Sequence, residues 1–163
     1  MTGQKSDAHS DVHPPYYLLN MSESKFSRIT LPDGRIRLAT QQASFTFARP
    51  RPGVLFATIA GHDGGDFGSA ALDEITQVLN RERPITLFVD TREATSVAPT
   101  VRDDWTRFFS SNRANLSAVH VLTGSKAVHL SVAVAQHFSD TGNLIRLYSK
   151  PEVFEAKLAG AGK

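Results

Sequence analysis

The chain has no cysteine among its 163 residues. Disulfides, thiolate metal sites and a cysteine nucleophile are excluded by that one absence. No apolar run approaches the ~20 residues that cross a bilayer. Met1 to Asn20 is polar apart from Tyr16-Tyr17-Leu18-Leu19, so no secretory leader is expected. A cytoplasmic protein without membrane contact is the resulting expectation. Strong charge of either sign is missing too: 18 Lys+Arg stand against 16 Asp+Glu, a formal net charge of +2. The nearest thing to a basic patch, Arg49, Arg51, Arg81 and Arg83, lies near strand starts. These residues read as solvated flanks, which argues against a nucleic-acid partner.

A chain of this length suits one domain that buries a core without staples, placed here at residues 27–160. Residues 1–26 are set apart. Met1 to Asp11 has almost no apolar content and is expected to be disordered, and His9 and His13 read as incidental there. From Val12 to Phe26, Pro14-Pro15 favours an extended backbone ahead of Tyr16 to Leu19. That segment is expected to be disordered or loosely docked.

The folded part opens with Ser27 to Leu31 and Arg35 to Ala39 flanking Pro32-Asp33-Gly34. Alternating residues around an Asp-Gly turn predict a β-hairpin. Phe45 and Phe47 continue the alternation until Pro50 and Pro52. Gly53 to Ala60 is apolar at nearly every position and predicts a strand covered on both faces, and Gly61 to Asp66 reads as a loop. Helices and strands then alternate. Leu72, Ile75, Val78 and Leu79 recur at helical spacing, followed by the strand Ile85 to Val89, which ends at Asp90. Thr91 to Ala98 reads as a loop, and Pro99 suits the first turn of a helix with the stripe Val101/Trp105/Phe108/Phe109. Trp105 is expected to be mostly buried through that stripe. Leu116 to Leu122 predicts a strand, Ser125 to Phe138 a helix, and Leu144 to Tyr148 a last strand. Ser149-Lys150-Pro151-Glu152 has the pattern of a capping box opening a final helix. The order predicts an α/β domain: a mixed, mostly parallel sheet with an N-terminal antiparallel hairpin.

The candidate site is the edge after the central strand. Asp90, Arg92, Ser96 and Thr100 gather there, where ligand loops sit in α/β sheets, and free amides at a helix start favour an anion or a phosphorylated side chain. Asp90 is expected to order the turn and the others to meet a partner. Ser125, in Thr123-Gly124-Ser125-Lys126, is a further candidate, although the glycine spacing of a phosphate loop is absent and an ordinary helix cap explains it. Gly61 to Asp66 holds a histidine and two aspartates, yet the spacing matches no calcium or zinc motif. No Gly-x-Ser-x-Gly elbow exposes a nucleophile. No catalytic residue, metal or cofactor is expected. The helix from Ser125 to Phe138 is apolar in most directions, so it is either enclosed or faces a partner or a second copy in a homodimer.

From about Pro52 to Leu158 the chain resembles the STAS-like domains, which include the anti-sigma-factor antagonists of the SpoIIAA type. The likeness rests on Gly53 to Gly61, Ile85 to Asp90, Ala118 to Leu122 and Ile145 to Tyr148, each followed by a helix. It implies a mixed sheet with helices mainly on one face and a non-enzymatic role in binding a protein, in bacterial signalling. A small-molecule or nucleotide-binding domain, or a weak enzyme using Gly61 to Asp66, is the alternative. Regulated members carry an Asp-Ser-Ser-Gly-like motif at the start of the helix after the central aspartate. The matching place here is Ala98-Pro99-Thr100-Val101, where Thr100 alone offers a hydroxyl.

Overall fold

The computed structural model describes residues 25–138 and 143–162, with the side chain of residue 138 left aside. The expectations for residues 1–24 lie outside the described residues. Seven strands form one sheet in sequence order: β1 (Ser27–Thr30), β2 (Ile36–Ala39), β3 (Ala43–Arg51), β4 (Val54–Asp63), β5 (Ile85–Val97), β6 (Leu116–Thr123) and β7 (Ile145–Tyr148). Neighbours up to β4 run antiparallel, and β4 to β7 run parallel. Helices α1 (Ala70–Arg81), α2 (Pro99–Ser111) and α3 (Lys126–Phe138) connect the parallel strands, and α4 (Pro151–Gly160) follows the last. This is the α/β architecture the sequence predicts.

The hairpin forms as expected. The Asp33 carboxylate accepts the Arg35 amide at 3.1 Å, and Gly34 supplies the positive φ that the turn needs. Period-two alternation then divides the sheet into two faces. Phe45, Leu55, Leu87, Val89 and Val119 face one large core with Ile75 and Leu79 of α1 and Phe108 and Phe109 of α2. Val54, Phe88, Leu122 and Tyr148 face the other side, where Phe154 of α4 covers them. Three helices on one face and one on the other satisfy the helices-mainly-on-one-face expectation. Two aromatics outside the predicted stripes join the larger core, one of them, Phe26, from the end of the segment set apart from the domain. Phe67 packs edge-on against Phe45 at 5.0 Å, and Phe26 lies 5.7 Å from Phe67.

Trp105 is mostly buried as expected, packed on the larger core with its ring near-parallel to Phe45 at 6.3 Å, and it also lines a cavity. Two local expectations are corrected. The start of α4 has no capping box: Lys150 occupies the cap position without a side-chain bond, and Pro151 opens the helix. The central strand does not stop at Asp90. It continues to Val97, and β4 continues with it to Asp63, the pairs Ala60/Glu93, Gly61/Ala94, His62/Ser96 and Asp63/Val97 extending the ladder. The supposed loop Thr91 to Ala98 is therefore strand up to Val97, past the point where β6 ends opposite Thr91, and Gly61 to Asp66 is strand up to Asp63.

Gly61 permits this. Its φ is +81°, and a Cβ there would lie 1.9 Å from the Gln42 carbonyl oxygen, which accepts the His62 amide at 3.0 Å. Gly61→Ala is expected to cost about 2 kcal/mol or more, through the left-handed backbone and the displaced β3 end. Urea denaturation checks this; a loss below about 0.5 kcal/mol, the scale of a neutral surface change, contradicts the close approach.

Candidate functional site

The parallel strands end at one edge of the sheet, and the sequence-predicted residues lie along it on two faces. Asp90 continues the alternation of Phe88 toward the α4 side and is buried. Its carboxylate accepts the Arg92 amide at 3.0 Å and the Arg92 guanidinium at 2.7 Å. Asp90 therefore orders the backbone as expected, but it does so through Arg92, whose charge is already engaged. The carboxylate raises the Arg92 pKa, with a smaller contribution from Glu155 on α4. Gly124 lies so close that a Cβ would stand 3.0 Å from the Arg92 Cα and carbonyl oxygen. Arg92 is thus brought beside the start of α3. Ser125 caps that helix, its hydroxyl accepting the Val128 amide at 3.2 Å.

Ser96 is on the extended ladder, not in a loop. Its hydroxyl lies 2.5 Å from His62 Nδ1. Among the described residues no carboxylate is hydrogen-bonded to His62, so this serine and histidine lack the third group that orients a catalytic base. Thr100, second residue of α2, is exposed. The structure therefore brings Asp90, Arg92 and Ser125 together, and sets Ser96 and Thr100 apart from them. No group of three metal-ligating side chains occurs among the described residues, and no described helix is long and apolar enough to cross a membrane.

On the opposite face from Asp90, between the β4–β5 overhang and helices α2 and α3, lies a cavity of about 90 Å³. Phe45, Ile59, Val121, Trp105, Val128 and Val132 make its apolar wall. The sequence shows these residues only as core stripes, so the cavity had no signal in spacing. Asp63, Ser96 and Arg102 also line it. Burial is the main cause of a raised Asp63 pKa, opposed by the hydrogen bond from the Gly65 amide; the neighbouring Asp66 and Asp104 add a smaller upward push.

His120, on the α4 side, is a satisfied core histidine. Its ring stacks on Phe88 at 4.6 Å, and Nδ1 is 2.7 Å from the Tyr148 hydroxyl. Burial, aided by the positive charges of Arg146 and Lys157, pushes its pKa down to about 4 from 6.5. At pH above 6.5 the ring is neutral whether the chain is folded or not. As pH falls below that value the unfolded chain takes up the proton first, so the native state loses stability until about pH 4. Asp63 works the other way, since its raised pKa favours the native state as it protonates. Between pH 7.5 and 4.5, wild type is expected to lose up to roughly 3 kcal/mol more than His120→Leu. Denaturation at both pH values checks this; equal losses would mean that His120 titrates freely in the fold.

Two solved structures share this architecture. An anti-sigma factor antagonist from Mycobacterium paratuberculosis is similar over 80% of this chain and 99% of its own, with a TM-score of 0.54 and 11% identity. An uncharacterised protein of the DUF3478 family from Shewanella loihica PV-4, described as having a SpoIIAA-like fold, is similar over 72% of this chain and 94% of its own, with a TM-score of 0.52 and 12% identity. No family model and no curated protein matches the chain. At these identities the likeness establishes the fold: the chain has the SpoIIAA-like α/β fold.

Proposed function

We propose that the chain is a non-enzymatic module that binds a protein partner in bacterial signalling, within the cytoplasm. The observation that carries this reading is the surface formed by the starts of α2 and α3. Parallel strands deliver both helices to the same edge, where Thr100 is exposed and Leu130 is 66% exposed. The exposed Leu130, with Lys126 and His129 also exposed on α3, offers an apolar anchor within a polar surface. The likeness to an anti-sigma factor antagonist supports a protein as the occupant. Asp90 and Ser125 are assigned supporting roles, and Ser96 is engaged with His62. Leu130 joins the site, having no signal in the sequence beyond the apolar character of its helix.

The test is affinity capture from native lysate, comparing wild type with Leu130→Asp and Thr100→Glu, beside a melting curve for each. A specific partner is expected with wild type and lost with Leu130→Asp, without a change in melting temperature beyond what about 0.5 kcal/mol produces. Retention of every captured protein by both variants would contradict the assignment. Leu130→Asp converting a dimer to a monomer in sedimentation, with no foreign protein captured, would make a second copy the occupant.

A further inference from the structure

The cavity between the β4–β5 overhang and helices α2 and α3 has more than an apolar wall. Most polar groups on its rim are already paired: Thr91 donates to the Leu122 carbonyl at 2.7 Å, Ser131 donates to the Ala127 carbonyl at 3.2 Å, and Ser96 meets His62. Arg102 Nε, by contrast, is buried and has no hydrogen-bond acceptor, although the same guanidinium meets Asp103 Oδ1 at 3.5 Å. Asp63 is buried and accepts only the Gly65 amide, at 3.0 Å, with no cation in ion-pair range among the described residues. A buried donor left without an acceptor is costly unless something else meets it, and the Asp63 carboxylate beside it has acceptor capacity to spare.

We propose that this cavity binds a small uncharged molecule with an apolar body and one hydroxyl head. The body lies against Phe45, Trp105, Val121 and Val128, and the head meets the rim where Arg102 donates and Asp63 accepts. The volume sets the size class. An apolar cavity of about 150 Å³ holds a benzene ring, so this smaller cleft of about 90 Å³, partly open to solvent, takes a body of about four carbons. The rim sets the charge: a carboxylate would face Asp63, an ammonium would face Arg102, and either would lose water on entering an apolar wall. A hydroxyl can donate to one and accept from the other. This inference goes beyond the protein-partner reading and does not depend on it, since its site is the cavity and not the exposed starts of α2 and α3.

Trp105 is the only tryptophan in the chain and lines the cavity, so its emission reports occupancy directly. The full chain is titrated at neutral pH with 1-butanol, butanoate and butylammonium, which differ only in the head. Saturable binding of 1-butanol is expected, at least about tenfold tighter than either charged analogue. Arg102→Met, which keeps the length but removes the donor, should weaken 1-butanol about fivefold to tenfold. Val132→Phe, which fills the cavity, should abolish the response. If Val132→Phe does not fold, the Arg102→Met comparison decides alone. No saturation by 1-butanol, a charged analogue binding equally well, or an unchanged affinity in Arg102→Met would each overturn the proposal.

Discussion

The fold depends on covering one strand on both faces. Leu87 and Phe88 are adjacent in β5, point to opposite sides of the sheet, and are both fully buried. A parallel strand of this kind is stable only when something apolar lies above and below it. The helices between the parallel strands supply one side. Phe154 of α4 supplies the other, packing edge-on against Phe88 at 5.6 Å and against Tyr148 at 5.9 Å. The terminal helix is therefore a structural requirement of the central strand. His120 is neutral for the same reason, being enclosed in that second layer between Phe88 and Tyr148.

What distinguishes this edge is the length of β4 and β5. Where the sheet narrows to these two strands, the chain stays extended, and the residues after Asp90 are held in a ladder. A ladder sends successive side chains to alternate faces, with local shifts at its irregular steps. That separates the Asp90–Arg92 pair from the cavity lined by Ser96, Asp63 and Arg102. One edge thus carries two surfaces: an exposed one at the starts of α2 and α3, and an enclosed one between those helices and the overhang.

The architecture was legible because it rests on strong local signals. The Asp33-Gly34 turn, the near-continuous apolar run of β4, and the 3.6-residue stripes of α1 and α2 each have one good structural solution. The edge was harder to read for physical reasons. Thr91 to Val97 is polar and follows an aspartate, so it resembles a loop, yet only one side of it needs covering and threonine and valine suit a strand. Gly61 to Asp66 looks like a flexible connection, whereas Gly61 is a glycine within a strand because the β3 end approaches it closely. Asp90 does fix the local backbone, but within a continuing strand and not in a turn. Arg92 was read as a partner contact because an ion pair two residues away leaves no trace in periodicity. The cavity was invisible, since a void is a property of how α2 and α3 sit and not of which residues they carry.

The extension of β5 past Asp90 is the claim on which both surfaces rest, and amide hydrogen exchange tests it residue by residue. In a parallel pair bonded on one side only, amides that donate across to β4 are protected and the others are not. The account predicts slow exchange at alternate amides between Glu93 and Val97, clearly slower than in an open loop. Uniformly fast exchange from Arg92 to Ala98, with protection confined to Ile85 to Asp90, would contradict it.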